Sequence, residues 1–371
     1  MAAGIDWNAL LDLAHRHGLL PLLHHHLQNL EGVAMPQPYR DALRDAFVEN
    51  AGRALRLTGE LQQLLQLFRE QDIPVLPYKG PVLAAQLYGS IALRQAGDLD
   101  ILIRRSDLVR VRELLLAREY RPAVQLSSAV EAKLVETFYH QVFYRKDIKL
   151  EVHWGFAPAY FPFSLGIEAL LSRIQQVRIG TDFVPALSPR DLLLVLPIHG
   201  ARHGWDRLEG ICSIAELLCA DSSQDWDALV ERAMALGSHR MLLLALALAH
   251  DLLNAHLPAQ LEQRARSDRQ VQYLAAEVRQ SMFTDGGIVR EGETLRRDVA
   301  RFRMMDRSRD RLRYIVHRLM KPPYPSGLRW VLVGRVLIPL HRVLRPLELA
   351  GRAGGWVYER LRTRLRSAHR R

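Results

Sequence analysis

Residues Tyr78–Asp100, YKGPVLAAQLYGSIALRQAGDLD, run directly into the apolar Ile101-Leu102-Ile103. That run is rich in β-branched residues and predicts a buried strand. Side chains alternate along a strand, so Asp98 and Asp100 project to one side while Leu99 and Ile101 face the other. Two carboxylates aimed at one spot raise each other's pKa and do not ionise together cheaply unless a cation lies between them. Mg²⁺ or Mn²⁺, hard ions held by carboxylates and substrate phosphates, suit such a place.

Upstream, Ile73–Tyr78 predicts a short strand, and Gly80-Pro81 turns the chain into a helix over Val82–Tyr88 with proline at its first turn. Free amides at the helix start, Gly80 allowing close backbone approach and the adjacent Lys79 together form a candidate triphosphate cradle. The order strand, glycine turn, helix, D-x-D strand resembles the nucleotidyltransferase superfamily related to DNA polymerase β. More narrowly, Lys79-Gly80, a helix ending in Leu87-Tyr88-Gly89, and Arg94 followed by Gly97-Asp98-Leu99-Asp100-Ile101-Leu102-Ile103 resemble the uncharacterised bacterial nucleotidyltransferase family 5. The resemblance implies an NTP substrate. Lys79 and Arg94 would then neutralise phosphate charge.

A third acid is sought by the same alternation. Phe138–Tyr144 and Ile148–Trp154 predict two strands of a hairpin joined by the polar Arg145-Lys146-Asp147. Ile148, Leu150 and Val152 share one face of the second strand, and Lys149, Glu151 and His153 share the other. Glu151 is the candidate third metal ligand and catalytic acid beside Asp98 and Asp100. Glu151-Val152-His153-Trp154 matches the family's acid, apolar residue, His-Trp pattern, with Glu where Asp is commoner, and Gly80-Pro81 stands where glycine-serine is usual. The family also carries H-G-x-x-H-x-W-x-x-L where this chain has His199–Leu208, which implies that His199, Arg202 and His203 either face the nucleotide or serve the helical fold. Ser213 stands where relatives commonly have aspartate.

Around this unit the chain divides by composition into an N-terminal helical cap (1–70), a catalytic core (71–187), a helical domain (188–300) and a basic C-terminal region (301–371). The expected fold class is α+β, a small mixed-sheet polymerase β-like core flanked by helices. Apolar stripes at helical spacing cover 5–70. The histidines there (His15, His17, His24, His25, His26) read either as metal ligands or as part of a packed cap, and adjacent ones point to different faces. His199 and His203 with Cys212 and Cys219 match no strong zinc spacing. Ser106 is expected to cap a helix over Asp107–Glu119 with Leu108, Val111, Leu115 and Leu116 turned inward. Ser188-Pro189 and Asp225 are expected to open two further helices, and Gly200 and Gly204 to interrupt the first.

The 371 residues suffice for two or three domains, and the 49% hydrophobic and 25% charged content is ordinary for a globular protein. Only two cysteines argue against a disulfide scaffold. The first twenty residues lack the basic start and apolar core of a signal peptide, and Met241–Ala249 is too short an apolar run for a bilayer. A cytoplasmic location, or a peripheral one at the inner membrane surface, is expected. The net charge of +11 is uneven: Arg301–Arg371 holds 19 basic against 4 acidic side chains. That region, with Trp330, Leu337, Leu344 and Trp356 interleaved, suits an anionic membrane surface, nucleic acid, or packing against the body with a solvated arginine face.

The expected function is transfer of an NMP from an NTP to a hydroxyl acceptor with release of pyrophosphate. The acceptor is a small molecule, glycan, peptide or protein. Relatives beside genes for peptide natural products and exopolysaccharides suggest the context. The alternative is an inactive nucleotide-binding or membrane-associated scaffold of a biosynthetic cluster.

Overall fold

The computed structural model describes residues 4–28, 30, 35–95, 97–124, 135, 138–220, 225–283 and 291–320. The expectations for the C-terminal region beyond residue 320, its interleaved tryptophans and its Leu344-Arg345-Pro346-Leu347 segment included, lie outside them. Contacts divide the chain into two compact units, Met1–Thr284 and Asp285–Arg371. Division by composition is finer than division by contacts.

In the first unit the order is α1 (Trp7–Arg16), α2 (Leu20–Gln28), α3 (Gln37–Glu70), β1 (Val75–Pro77), α4 (Gly80–Tyr88), β2 (Leu99–Ile103), α5 (Leu108–Ala117), β3 (Arg121–Pro122), β4 (His140–Arg145), β5 (Ile148–His153), α6 (Glu168–Leu171), β6 (Gln175–Ile179) and β7 (Asp182–Ala186). Helices follow: α7 (Pro189–His203), α8 (Leu208–Ala220), α9 (Trp226–Leu236), α10 (His239–Leu253), α11 (Ala259–Ser267) and α12 (Arg269–Met282).

The main sheet has the order β1-β2-β5-β4-β3, and β6-β7 is a separate ribbon. β2 runs parallel to β5, whereas the pairs β1–β2, β4–β5 and β3–β4 are antiparallel. The sheet is therefore mixed, as the sequence led one to expect. Strand alternation does the sorting: Leu99, Ile101, Ile103, Phe143, Leu150 and Val152 form one buried cluster with Leu57, Leu61, Leu64 and Phe68 of α3 and Leu108, Val111 and Leu115 of α5. Each such side chain contributes roughly 1.5–3 kcal/mol by leaving water. This anchors β2 and β5 side by side and fixes what their opposite face presents. α3, 34 residues long, spans about 50 Å and reaches the sheet only with its C-terminal half. Its buried Glu60 accepts hydrogen bonds from the Tyr120 hydroxyl at 2.8 Å and from Arg145 at 3.0 Å, tying the helix to the β3–β4 side.

Local departures from the sequence expectation have simple causes. Arg105–Asp107 form a 3-10 turn, α5 starts only at Leu108, and no side chain caps it, so Ser106 is not its cap. Leu116 is 44% exposed rather than inward, being one residue round from the buried Leu115. α7 does open on Ser188, whose hydroxyl accepts from the Asp191 amide, but it continues through Gly200 to His203 and stops at Gly204, which lies at φ 73°. Gly200 stays within the helix, and its bare α-carbon admits the Trp205 ring, which lies 2.6 Å from where a Cβ would sit. α10 is buried from Met241 to Ala249 because α7, α8, α9, α11 and α12 all pack against it. Among the described residues no helix is long and apolar enough to cross a membrane.

The second unit contains α13 (Glu291–Met304) and α14 (Ser308–Met320). Asp298 joins them by accepting from the Tyr314 hydroxyl at 2.6 Å and from Arg318.

Candidate active site

The parallel register of β2 and β5 places Asp100 opposite Glu151 and Leu102 opposite His153. Because Leu99, Ile101, Leu150 and Val152 are committed to the α3–α5 core, Asp100, Glu151 and His153 emerge together on the other face. One ligand atom from each lies within 4.8 Å of the others. Asp98, just before β2, has its carboxylate 2.8 Å from the ammonium of Lys149. It stands outside that three-donor group but shares the cation, since Lys149 also donates to Glu151 at 2.5 Å.

At the centre is Asp100, 4% exposed. Its Oδ1 lies 3.0 Å from Lys79 Nζ and 3.0 Å from His153 Nε2, and His153 Nε2 is also 3.3 Å from Glu151 Oε2. Lys79 stands just before α4 with no capping hydrogen bond from its side chain, and Gly80 begins that helix at φ 58°. A Cβ on Gly80 would meet the Asp98 carbonyl oxygen at 3.0 Å, so the close approach and the left-handed backbone both call for glycine.

The electrostatics follow from this packing. Burial alone would raise the Asp100 carboxyl, but Lys79 and His153 outweigh it and hold Asp100 far below the usual carboxylate range. Burial is likewise outweighed at Glu151, where hydrogen bonds from His153 and Lys149 lower the carboxyl to about 2. Burial and the neighbouring Asp100 raise Asp98, with Lys149 opposing. For Lys149 burial is overcome by the two carboxylates, and its ammonium is held well above the ordinary range.

An aromatic and imidazole wall adjoins the acids. His140 pairs with His153 across the hairpin, and their rings stack at 5.1 Å. Tyr78 and Tyr139 contact the His153 ring at 5.4 and 5.9 Å. The hairpin turn is the two-residue Lys146-Asp147 with Lys146 at φ 52°. Burial, then His153, lowers His140 to about 4, and burial raises the Tyr139 hydroxyl to about 12. From α7, Arg202 hydrogen-bonds the Tyr139 hydroxyl, lies 4.4 Å over its ring and donates to the Phe156 carbonyl at 3.4 Å. The rings of His199 and His203 are 4.4 Å apart. Burial, then Lys79 and His203, pushes His199 well below the usual imidazole value.

Of the residues singled out in the sequence, Lys79, Gly80, Asp98, Asp100, Glu151 and His153 converge here, and Arg202 reaches the adjoining wall. Arg94 instead pairs with Glu209 at the start of α8, 3.1 Å away. The N-terminal histidines, read either as ligands or as part of a packed cap, form no donor cluster among the described residues: His17 accepts from the Leu208 amide, and His24 stacks on Phe47. Among the described residues the Asp100–Glu151–His153 group is the one set of this kind, and Cys212 and Cys219 are free. Sequence reasoning placed Lys149 on the Glu151 face but gave it no role, and it passed over Tyr78, Tyr139 and His140. His140 pairs with His153 because Arg145 belongs to β4 and the turn is two residues long; the three-residue connection expected from the sequence would have set His140 opposite Val152.

The donor set suits a divalent cation: two ionised carboxylates and an imidazole converge, with Asp100 and His153 buried and Glu151 partly exposed. A model of a family described as uncharacterised nucleotidyltransferase matches residues 3–254. No curated protein matches the chain. Among solved structures, the chain is similar to a solution structure of the antibiotic-resistance factor ANT(2'')-Ia at 16% identity, with 48% of this chain and 94% of that chain covered and a TM-score of 0.35. It is also similar to a crystal structure of ANT(2'')-Ia in complex with adenylyl-2''-tobramycin at 12% identity, with 61% and 98% covered and a TM-score of 0.29.

Proposed function

The chain belongs to this family of uncharacterised nucleotidyltransferases, and from that premise we propose a divalent-metal-dependent enzyme that moves an NMP from an NTP to an acceptor hydroxyl. The observation that carries the reading is the meeting of Asp100, Glu151 and His153 from two parallel strands beside Lys79 and the start of α4.

Asp100, Glu151 and His153 would hold the ion. When bound, it supplies charge neutralisation on the triphosphate and polarises the phosphorus under attack. Lys79 is the phosphate-facing cation, pre-aimed by Asp100. The free amides at the start of α4 bind phosphate oxygens, which Gly80 lets approach the backbone closely. Asp98 steadies the mouth of the site through Lys149. His199, Arg202 and His203 on α7 belong to the nucleotide side, and Arg202 orders Tyr139 there. The acceptor oxygen attacks the α-phosphorus, the new O–P bond forms as the bond to the bridging oxygen breaks, and pyrophosphate leaves. The hydroxyl proton passes to a carboxylate of the group or to water. The acceptor is a hydroxyl-bearing small molecule, glycan, peptide or protein.

Each α-labelled NTP, incubated with the protein, Mg²⁺ or Mn²⁺ and cell extract, tests this. Label transfer with pyrophosphate release is expected, falling at least about 100-fold in Asp100→Asn, as for loss of a charge-stabilising group at a reacting phosphate. A second reading, a nucleotide-binding scaffold without turnover, draws on Lys149 closing the gap between Asp98 and Glu151. Tight metal-dependent NTP binding with no pyrophosphate from any NTP would select it.

A further inference from the structure

The position between paired acids, which a second divalent ion would fill, is filled by a side chain of this protein. Lys149 Nζ is 2.8 Å from Asp98 Oδ2 and 2.5 Å from Glu151 Oε1. These are charge-assisted hydrogen-bond distances, so the ammonium spans the two carboxylates. Its place is set by the backbone, because Lys149 lies two residues before Glu151 on β5 and on the same face. The remaining donors, Asp100, Glu151 and His153, still converge within 4.8 Å without Asp98.

Charge counting points the same way. Asp98, Asp100 and Glu151 are matched by the ammonium groups of Lys79 and Lys149, which leaves about one uncompensated negative charge. Like charges about 4 Å apart repel by roughly 4 kcal/mol at an effective dielectric of 20. In the nucleotide-free site one divalent ion therefore meets a favourable field while a second would enter a site already positive, and with a triphosphate bound a second ion between Asp98 and Glu151 would still face the ammonium directly.

We infer that Lys149 is a built-in counter-cation, a positioning residue that takes the place of a second metal ion, so that the protein binds one divalent ion at Asp100, Glu151 and His153. The inference rests on the metal-site assignment above. It assigns Asp98 to holding Lys149 rather than to holding metal.

Mn²⁺ bound to the full chain is counted by electron paramagnetic resonance of the free ion, with and without a non-hydrolysable NTP analogue. One ion per chain is expected for the wild type and for Lys149→Arg, and two for Lys149→Met, in which Asp98 and Glu151 are released. Asp98→Asn covers the case in which Lys149→Met does not fold: at saturating Mn²⁺ it is expected to keep one ion, held more weakly because one negative charge near the site is gone. Two ions on the wild type, one ion of unchanged affinity on folded Lys149→Met, or loss of the ion in Asp98→Asn would each overturn the inference and leave the transferase reading standing. No ion on any form, with or without nucleotide, would overturn both.

Discussion

Gly80 shows how much a single position carries. It sits at φ 58°, and its α-carbon faces the Asp98 carbonyl, 3.0 Å from where a Cβ would be. A non-glycine residue in that backbone region costs about 1–3 kcal/mol, and here the added carbon also pushes on the segment that carries the acids. Gly80→Ala is therefore expected to lower stability by that amount in urea unfolding and to weaken NTP binding in the same preparation. Full nucleotide affinity with unchanged stability would contradict the role given to this residue. Lys79→Met removes a partner of Asp100 and a phosphate-facing charge, and its main effect is expected on the KM for NTP.

Between elements, the Arg94–Glu209 pair connects the segment before β2 to α8. Their side chains are 15% and 8% exposed, with Nε and Oε1 3.1 Å apart, and a Cβ on Gly18, in the turn after α1, would lie 2.9 Å from Glu209 Oε2. Three stretches distant in sequence thus meet at one ion pair. Removing one partner of a buried pair typically costs 3–5 kcal/mol because the other charge is left uncompensated. Glu209→Ala is expected to destabilise on that scale and Arg94→Ala by less, because Arg207 stays 3.8 Å from Glu209, and the double variant by less than their sum, a coupling that a double-mutant cycle measures. An additive cycle, with Arg94→Ala altering only the KM for NTP, would instead return Arg94 to phosphate binding. The family resemblance of Arg94 followed by Gly97-Asp98-Leu99-Asp100 implies a phosphate-facing arginine. Glu209, more than a hundred residues downstream, carried no local signal of being its partner.

For the molecule as a whole, the imidazole wall makes stability depend on pH. His140 is lowered to about 4 by burial and His153, and His199 is lowered by burial and Lys79. Both are neutral when folded and take up protons at the ordinary 6.5 when unfolded. For His140 the unfolded chain binds more protons between about 4 and 6.5, so its contribution is complete above about pH 6.5 and is lost as pH falls toward 4, and His199 acts in the same direction. For His140 it is of order 2–3 kcal/mol, allowing for partial solvent screening. Denaturant midpoints at pH 7.5 and 5 are expected to differ accordingly, and less so in His140→Gln. Equal slopes for both proteins would remove His140 as the cause.

The acids, the lysine and glycine beside them, the alternation that puts Glu151, His153 and Lys149 on one strand face, and the helical character of both flanks could be read along the chain, because each depends on neighbours a few residues away. Tertiary structure alone settled which strands lie side by side, and so that Asp100 meets Glu151 while Asp98 turns to Lys149, that Arg94 meets Glu209, and that α7 brings Arg202 to Tyr139. Those pairings form between segments far apart in sequence, where the burial of Leu99, Ile101, Leu150 and Val152 against α3 and α5, rather than any local preference, fixes which polar groups are left to face one another.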